Sequence, residues 1–149
     1  MATQDLTRVL IRTAQTGDIP DIARLIQPFV DDGKLLLRTY DELDELLPNF
    51  FVALLEGEIV GCAALEIYSP KLAEVRSLAV SGSAQGLGIG KMLVNACLDR
   101  AHASNVFEVM AITSSDGFFQ SCGFDYTLPG EKRALFIQTR DTFNRDTGE

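Results

Sequence analysis

The chain has 149 residues, of which 46% are hydrophobic and 23% are charged, and these values fit one globular domain with a buried core. Its 13 Lys and Arg residues are outnumbered by 21 Asp and Glu residues, and the net charge of −8 argues against a protein that binds a nucleic-acid backbone. No apolar run reaches the ~20 residues of a membrane-spanning helix, so a membrane protein is not expected.

The first third of the chain predicts a strand and two helices. Val9–Ala14 is a short apolar strand, and Asp18 is the expected N-cap of a first helix with Pro20 in its first turn. The apolar residues at helical spacing in this helix are Ile22, Leu25, Ile26 and Phe29. The Asp-Asp-Gly sequence at 31–33 ends the first helix, and a second helix is expected over 41–47.

The middle of the chain predicts three strands. Phe50–Leu55 and Ile59–Tyr68 are apolar runs that flank Glu56-Gly57, a pair typical of a hairpin turn. Leu72–Val80 is the third strand.

The second half predicts alternating helices and strands. After a glycine segment, a helix is expected whose apolar face begins at Ile89 and which runs to about 103. A strand over 106–112, a short helix over 117–121 and a last strand over 134–138 follow, and the tail at 139–149 is polar. The order of the elements predicts a mixed α/β single domain.

The three cysteines are Cys62, Cys97 and Cys122, an odd number without a CxxC pair. This spacing argues against a disulfide framework or a zinc site and favours reduced thiols in a cytoplasmic protein. The first residues lack a long apolar region, so no secretory signal is expected. The single histidine, His102, is expected on the surface.

Three glycines, Gly86, Gly88 and Gly90, come directly before the third predicted helix. Unpaired N–H groups and the helix dipole favour an anion at such a place, although a glycine-rich turn is the simpler alternative. The segment is not a Walker A loop, because Met92 follows Lys91 where that motif needs Ser or Thr. Its GxGxG spacing also differs from the GxGxxG of a Rossmann fold.

The segment Gln85–Gly90 (QGLGIG) resembles the Gln/Arg-x-x-Gly-x-Gly/Ala loop of the GCN5-related N-acetyltransferases (GNAT family). Glu74–Val80 (EVRSLAV) is similar to the fourth strand of that family, 86–103 to its pyrophosphate-binding helix, and Phe118–Phe124 to its FYxxxGF segment. The motifs occur in the family's order, and the resemblance extends over about 9–138.

The resemblance implies the mixed α+β GNAT fold, in which a central, mostly antiparallel sheet is flanked by about four helices. It also implies one acetyltransferase domain over residues 1–149, with its core at about 9–138 and the polar tail outside the core. Exposed strand edges would allow a homodimer.

The same resemblance implies acetyl-CoA as the acetyl donor and no metal. Backbone groups of β-strand residues 78–80 would hold the pantetheine arm, and the amides of 86–91 would hold the pyrophosphate. The cofactor-binding residues expected on this basis are Leu78, Ala79, Val80, Gln85, Gly86, Leu87, Gly88, Ile89, Gly90 and Lys91. For Lys91, a solvated helix lysine is an equal alternative.

For catalysis, the resemblance suggests Glu74 as the base that deprotonates the acceptor's ammonium group. The alternative is a strand carboxylate that pairs with Lys71 or Arg76. The backbone N–H of Leu78 is the expected group that polarises the thioester carbonyl. Many family members have a tyrosine as general acid where this chain has Phe119, which has no proton to give.

A narrower resemblance concerns the acceptor. Gly33–Arg38 (GKLLLR) and Ala73–Val80 (AEVRSLAV) look like segments of the acetyltransferase domain of N-acetylglutamate synthases, which implies L-glutamate as the acceptor. Arg38 is the expected carboxylate ligand, and Lys34 and Arg76 are weaker candidates. For each of the three, a surface ion pair is the alternative, and for Lys34 it is the favoured one.

The match to these synthases is incomplete, because Ser114 stands where they often have an arginine after a Thr-Thr pair. Other acceptors therefore stay open, namely a polyamine, an aminoglycoside or a peptide N-terminus, and the acidic composition would suit such cations. A non-catalytic CoA-binding module is a further alternative, since the tyrosine acid is missing.

Overall fold

A computed structural model describes residues 8–126 and 134–139 of the chain. The strands are β1 (Val9–Thr13), β2 (Phe50–Leu55), β3 (Glu58–Ser69), β4 (Leu72–Val80) and β5 (Glu108–Met110). The helices are α1 (Ile19–Asp31), α2 (Tyr40–Leu46), α3 (Ile89–Ala103) and α4 (Asp116–Ser121).

The five strands form one sheet in the order β1-β2-β3-β4-β5. The first three pairs are antiparallel, whereas β5 runs parallel to β4 after the crossover through α3. The predicted mixed fold, with a mostly antiparallel sheet and four helices, is confirmed.

The sheet is covered on both faces, and each face has its own apolar cluster. On one face, Leu93 and Cys97 of α3 are buried against strand residues such as Leu65. On the other, Ile22 of α1 and Leu43 of α2 are buried against the opposite side of the same strands. Because both faces are covered, β2, β3 and β4 are apolar almost throughout instead of alternating.

The hairpin between β2 and β3 turns at the predicted residues. Glu56 has a φ of 53° and Gly57 a φ of 82°, the two positive angles of a type I′ turn. Glycine takes such an angle without steric cost, and the turn sets the β2–β3 register.

Asp18 is the N-cap residue of α1, and Pro20 lies in the first turn, as predicted. The Asp18 carboxylate makes no cap hydrogen bond, however, and accepts from the Gln15 N–H at 2.7 Å instead. One local prediction is wrong. Residues 134–138 form no strand, and Leu135, Phe136 and Ile137 are exposed. Apolar alternation does not suffice there, because a strand also needs a neighbour for its backbone groups, and none of the described strands pairs with this segment. The tail at 140–149 lies outside the described residues.

β5 is also shorter than the predicted strand at 106–112, since it pairs with β4 over three residues only.

No helix within 8–126 and 134–139 is long and apolar enough to cross a membrane. In the same ranges, no three His, Cys, Asp or Glu side chains are grouped as a metal ion would require.

Replacing Asp18 with asparagine is expected to lower the free energy of unfolding by about 2 kcal/mol at neutral pH, because charge-assisted hydrogen bonds are lost. The buried Asp18 carboxylate accepts from Arg12 Nη1 at 2.6 Å and Arg12 Nη2 at 3.0 Å. The hydrogen bonds from Arg12 lower the pKa of Asp18 in the folded state. The stabilisation that Asp18 contributes to the free energy of unfolding is therefore fully present above its unfolded-state pKa and is lost as the pH falls through its lower folded-state pKa.

Urea unfolding of Asp18→Asn and the wild type would therefore give curves that differ at pH 7 and converge in strong acid. Asp21→Asn is the control, because its carboxylate belongs to an exposed ion pair with Arg24 and is expected to change stability by less than ~0.5 kcal/mol. A stability difference for Asp18→Asn that is independent of pH would contradict the role of this ion pair.

Candidate active site

A cleft of ≈ 1060 Å³ opens where two parallel strands separate. β4 and β5 pair from Leu72 opposite Glu108 to Glu74 opposite Met110, and no further pairing follows. The cleft is lined by parts of four segments, namely 29–38 after α1, 74–80 of β4, 84–91 before and in α3, and 112–119 after β5. One of its walls is therefore the part of β4 beyond Glu74, which has no strand neighbour on the β5 side.

Most of the predicted site residues line this cleft. They are Lys34, Arg38, Glu74, Arg76, Leu78, Val80, Gln85, Gly86, Gly88, Ile89, Gly90 and Lys91. Ala79 and Leu87 do not: the Ala79 side chain is buried in the cluster below α1, and Leu87 packs against the cluster below α3. Only their backbone groups remain available for the contacts expected of them.

A β-bulge shapes β4 at the cleft. Ala79 is opposite Cys62 and Arg76 is opposite Ala64, so Ser77 and Leu78 together face one residue of β3. Ser77 has a φ of 54°, a left-handed angle that is unfavourable for a side chain in a strand. Bulges of this kind occur beside active sites, where they redirect a strand. The sequence gives no sign of this bulge, and Ser77 is a cleft residue that it does not predict.

The glycine loop presents free amides at the start of α3. Gly86 and Gly88 have φ angles of 82° and 80°, and the helix begins at Ile89, after these two glycines. Its first turn closes with the bond from Met92 N–H to the Gly88 carbonyl, at 3.1 Å, and the amides of 89–91 precede that bond. A Cβ added to Gly86 or Gly88 would meet no atom within 4 Å. The loop is therefore open to a ligand and suited to an anion.

Gly90 and Gln85, the other two residues that the motif includes, stabilise the structure of the loop. A Cβ on Gly90 would lie 3.3 Å from the Phe118 ring, so the small residue lets α4 pack against α3. The Gln85 side chain donates from Nε2 to the Val80 carbonyl at 3.1 Å and ties the loop to the end of β4.

Glu74 is held within a network of polar side chains. The residue is 7% exposed, and its Oε1 accepts a hydrogen bond of 2.6 Å from the Tyr68 hydroxyl. Arg76 Nε lies 3.9 Å from the same oxygen, and Arg76 Nη1 lies 3.4 Å from Glu66 Oε1. Lys71 and Arg76 were the alternative ion-pair partners expected for Glu74, and Arg76 is the one that lies beside it. Burial, followed by the hydrogen bond to Glu74, raises the pKa of Tyr68 to about 12.

Arg38 is buried at the edge of this network. Its side chain is 9% exposed, with Nη1 3.5 Å from Glu42 Oε2 and Nη2 3.7 Å from Glu66 Oε1. Its Nε is buried and has no hydrogen-bond partner among the residues that the structure describes. The guanidinium group, in the wall of the cleft, therefore has two carboxylates near it without a short contact to either, and its Nε–H donor is unpaired.

Phe119 cannot serve as a proton donor, and its surroundings are aromatic. Its ring is nearly perpendicular to those of Phe118 and Phe124, at 5.2 Å from each. The Tyr126 hydroxyl donates to Asp116 and does not line the cleft. Burial raises the pKa of Cys62 to about 12, so this thiol is neutral and is no candidate nucleophile.

The sequence did not predict Glu66 as a residue of the site, and it gave no indication of where Tyr68 lies relative to the site. Both follow from register: Glu66 lies opposite Glu74 across the β3–β4 pair, and Tyr68 is two residues further along the same strand face. The alternation of β3 near its end, Glu66-Ile67-Tyr68, is the signal that could have found them.

The profile of the Acetyltransferase (GNAT) family matches residues 19–124. An amino-acid acetyltransferase of Mycobacterium tuberculosis is 35% identical over 78% of this chain and 68% of its own length. An amino-acid acetyltransferase of Neisseria meningitidis is 36% identical over 78% of this chain, which spans only 27% of that relative.

Among solved structures, the N-acetylglutamate synthase of Neisseria gonorrhoeae complexed with coenzyme A and N-acetyl-glutamate superposes with a TM-score of 0.70. The two chains are 34% identical, and the match covers 76% of this chain and 27% of the synthase. The likeness is thus to one part of a longer protein.

Proposed function

The chain belongs to the GNAT family and is accordingly an N-acetyltransferase with acetyl-CoA as its donor, and we propose that its acceptor is the amino group of a small amino acid, L-glutamate. The observation that carries this proposal is Arg38, a buried guanidinium group with an unpaired N–H in the wall of the cleft. Similarity to amino-acid acetyltransferases supports the same acceptor class.

The guanidinium group of Arg38 is better suited to bind a carboxylate of the acceptor than to pair with Glu42 and Glu66. Its ion pairs with Glu42 and Glu66 are 3.5 and 3.7 Å long, beyond the range of strong charge-assisted hydrogen bonds. A buried donor without a partner costs free energy, and a ligand carboxylate that accepts from Nε would recover it. Arg76 and Lys34 line the same cleft and supply further positive charge for a second carboxylate.

The donor side of the cleft fits the diphosphate of coenzyme A. The amides of 89–91 and the open space at Gly86 and Gly88 form a cradle for a phosphate, and the helix dipole of α3 adds to it. Residues 78–80 of β4 have no strand neighbour on the β5 side, which leaves backbone groups for the pantetheine arm. Lys91 lines the cleft and can add charge there.

Glu74 and Leu78 would divide the chemistry. When bound, acetyl-CoA would supply a thioester whose carbonyl carbon is attacked by the amine. As the amide forms, the C–S bond breaks, and the CoA thiolate leaves and takes up the proton that the nitrogen gives up, which solvent water carries. Glu74 accepts the proton of the acceptor's ammonium group, so that a neutral amine is available. The N–H of Leu78, on the bulge, donates to the carbonyl oxygen as negative charge develops there. Phe119 takes no part in proton transfer.

A cationic amine is the second candidate acceptor. Glu74 lines the cleft, and Glu42 and Glu66 lie behind the lining, beside Arg38. These carboxylates balance the charge of Arg38, Arg76 and Lys34, so the site as a whole does not exclude a positively charged acceptor.

A panel of acceptors separates these candidates, with release of the free thiol from acetyl-CoA as the measured signal. We expect turnover with glutamate, and we expect Arg38→Ala to lower kcat/KM for glutamate about a hundredfold while KM for acetyl-CoA stays unchanged. Arg24→Ala is the matched control, since Arg24 is an exposed arginine of α1 paired with Asp21 outside the cleft.

Turnover with polyamines or aminoglycosides alone would favour the second candidate. Binding of acetyl-CoA without turnover of any amine would contradict the proposed activity.

A further inference from the structure

We propose that Tyr68 is a positioning residue for the base, whose hydroxyl group fixes one oxygen of the Glu74 carboxylate and so holds the other oxygen toward the acceptor. The proposal rests on the role proposed above for Glu74. It starts from one contact, the 2.6 Å hydrogen bond from the Tyr68 hydroxyl to Glu74 Oε1.

The two carboxylate oxygens of Glu74 have different surroundings. Oε1 accepts from Tyr68 and is also the oxygen nearer to Arg76 Nε. Oε2 makes no hydrogen bond to any residue that the structure describes, and Glu74 lines the cleft. The arrangement therefore holds the side chain by one oxygen and leaves the other to accept a proton from the acceptor.

Tyr68 contacts Glu74 from outside the residues that line the cleft. The Tyr68 residue is 47% exposed, whereas the Glu74 residue is 7% exposed. Because the pKa of Tyr68 is raised to about 12, its hydroxyl remains a donor throughout the pH range in which such enzymes work. Arg76 Nη1, at 3.4 Å from the hydroxyl oxygen, favours the orientation in which the proton points to Glu74.

The other charged groups around Glu74 do not replace this contact. Arg76 is shared with Glu66, and Arg38 reaches Glu66 but is not paired with Glu74. Lys34 lines the cleft without an ion pair to Glu74.

From β5, the residue opposite Glu74 is Met110, which carries no charge, and Glu108 is opposite Leu72. Among these neighbours, the Tyr68 hydroxyl is thus the group that donates a hydrogen bond to the carboxylate.

Without the Tyr68 hydroxyl, the Glu74 carboxylate can rotate, and its free oxygen is no longer held toward the acceptor. Tyr68→Phe is therefore expected to lower kcat about tenfold, while KM for acetyl-CoA and the melting temperature stay unchanged. The measurement is kcat and KM with the best acceptor of the panel, together with the melting temperature.

Tyr126→Phe is the matched control, because it removes another tyrosine-to-carboxylate hydrogen bond, the one to Asp116, outside the cleft. Its kcat and KM should coincide with those of the wild type. A wild-type kcat in Tyr68→Phe would overturn the proposal, and so would a loss of kcat that is accompanied by a lower melting temperature or a higher KM for acetyl-CoA. Full activity of Glu74→Gln would instead overturn the role of the base, so the two failures are distinguishable.

Discussion

Replacing Gly88 with aspartate is expected to abolish acetyl-CoA binding, with a Kd at least about a hundredfold higher. Gly88 is the residue before α3, and the amides that follow it are those proposed to hold the diphosphate. A carboxylate placed a few ångströms from a bound phosphate costs about 4 kcal/mol per charge pair in a partly exposed site, which exceeds the loss that a hundredfold change requires. Calorimetric titration with acetyl-CoA measures the effect directly.

Two variants separate charge from backbone strain. Gly57 has nearly the same φ, 82° against 80°, and also has free space around its Cβ position, so Gly57→Asp carries the same strain and charge in the distant hairpin. It should lower the melting temperature to a similar extent and leave acetyl-CoA binding intact. Gly88→Asn has the size of aspartate without its charge and should bind with an intermediate Kd. Unchanged binding by Gly88→Asp would remove the loop from the donor site.

The hairpin and β4 could be predicted because their signals are local. Glu56-Gly57 supplies the two residues that a tight turn needs, and an apolar run on each side fixes the register. The predicted strand Leu72–Val80 has the observed bounds for the same reason, since turn residues bound a run suited to a sheet.

The features that could not be predicted depend on partners that the sequence does not specify. Asp18 is the N-cap residue of α1 as predicted, but its carboxylate pairs with Arg12, which β1 brings within hydrogen-bond distance, and makes no cap hydrogen bond. Residues 134–138 have the composition of a strand, but composition cannot supply a neighbouring strand.

The candidate site was predictable to the extent that its motifs are continuous in sequence. Glu74 and the glycine loop each belong to a short segment with a family resemblance, and both line the cleft. The contacts of Tyr68 and Glu66 with Glu74 and Arg76 join two strands, and their register includes a bulge at Ser77 that no local signal announces. Tyr68 and Glu66 could therefore not be predicted as site residues from the sequence, whereas the residues that belong to the motifs could.

Replacing Glu74 with glutamine is expected to lower kcat/KM by 10²- to 10⁴-fold, the usual contribution of a general base. Glutamine has nearly the same shape, and its amide oxygen can still accept from the Tyr68 hydroxyl, so the fold should be retained. It cannot accept a proton from the acceptor's ammonium group. Acetyl-CoA affinity should not change, because Glu74 is outside the glycine loop.

The pH dependence of Glu74→Gln distinguishes a lost base from a damaged site. Without a base, only acceptor molecules that are already neutral can react, so the activity of the variant should rise with pH until the amine has lost its proton in solution. A damaged site would instead reduce activity equally at every pH and lower the melting temperature. Glu108→Gln, which removes one exposed carboxylate from β5 outside the cleft, controls for the change in net charge. If Glu74→Gln kept the wild-type profile, the proton would have to leave by another route, and Glu74 would be a structural partner of Arg76.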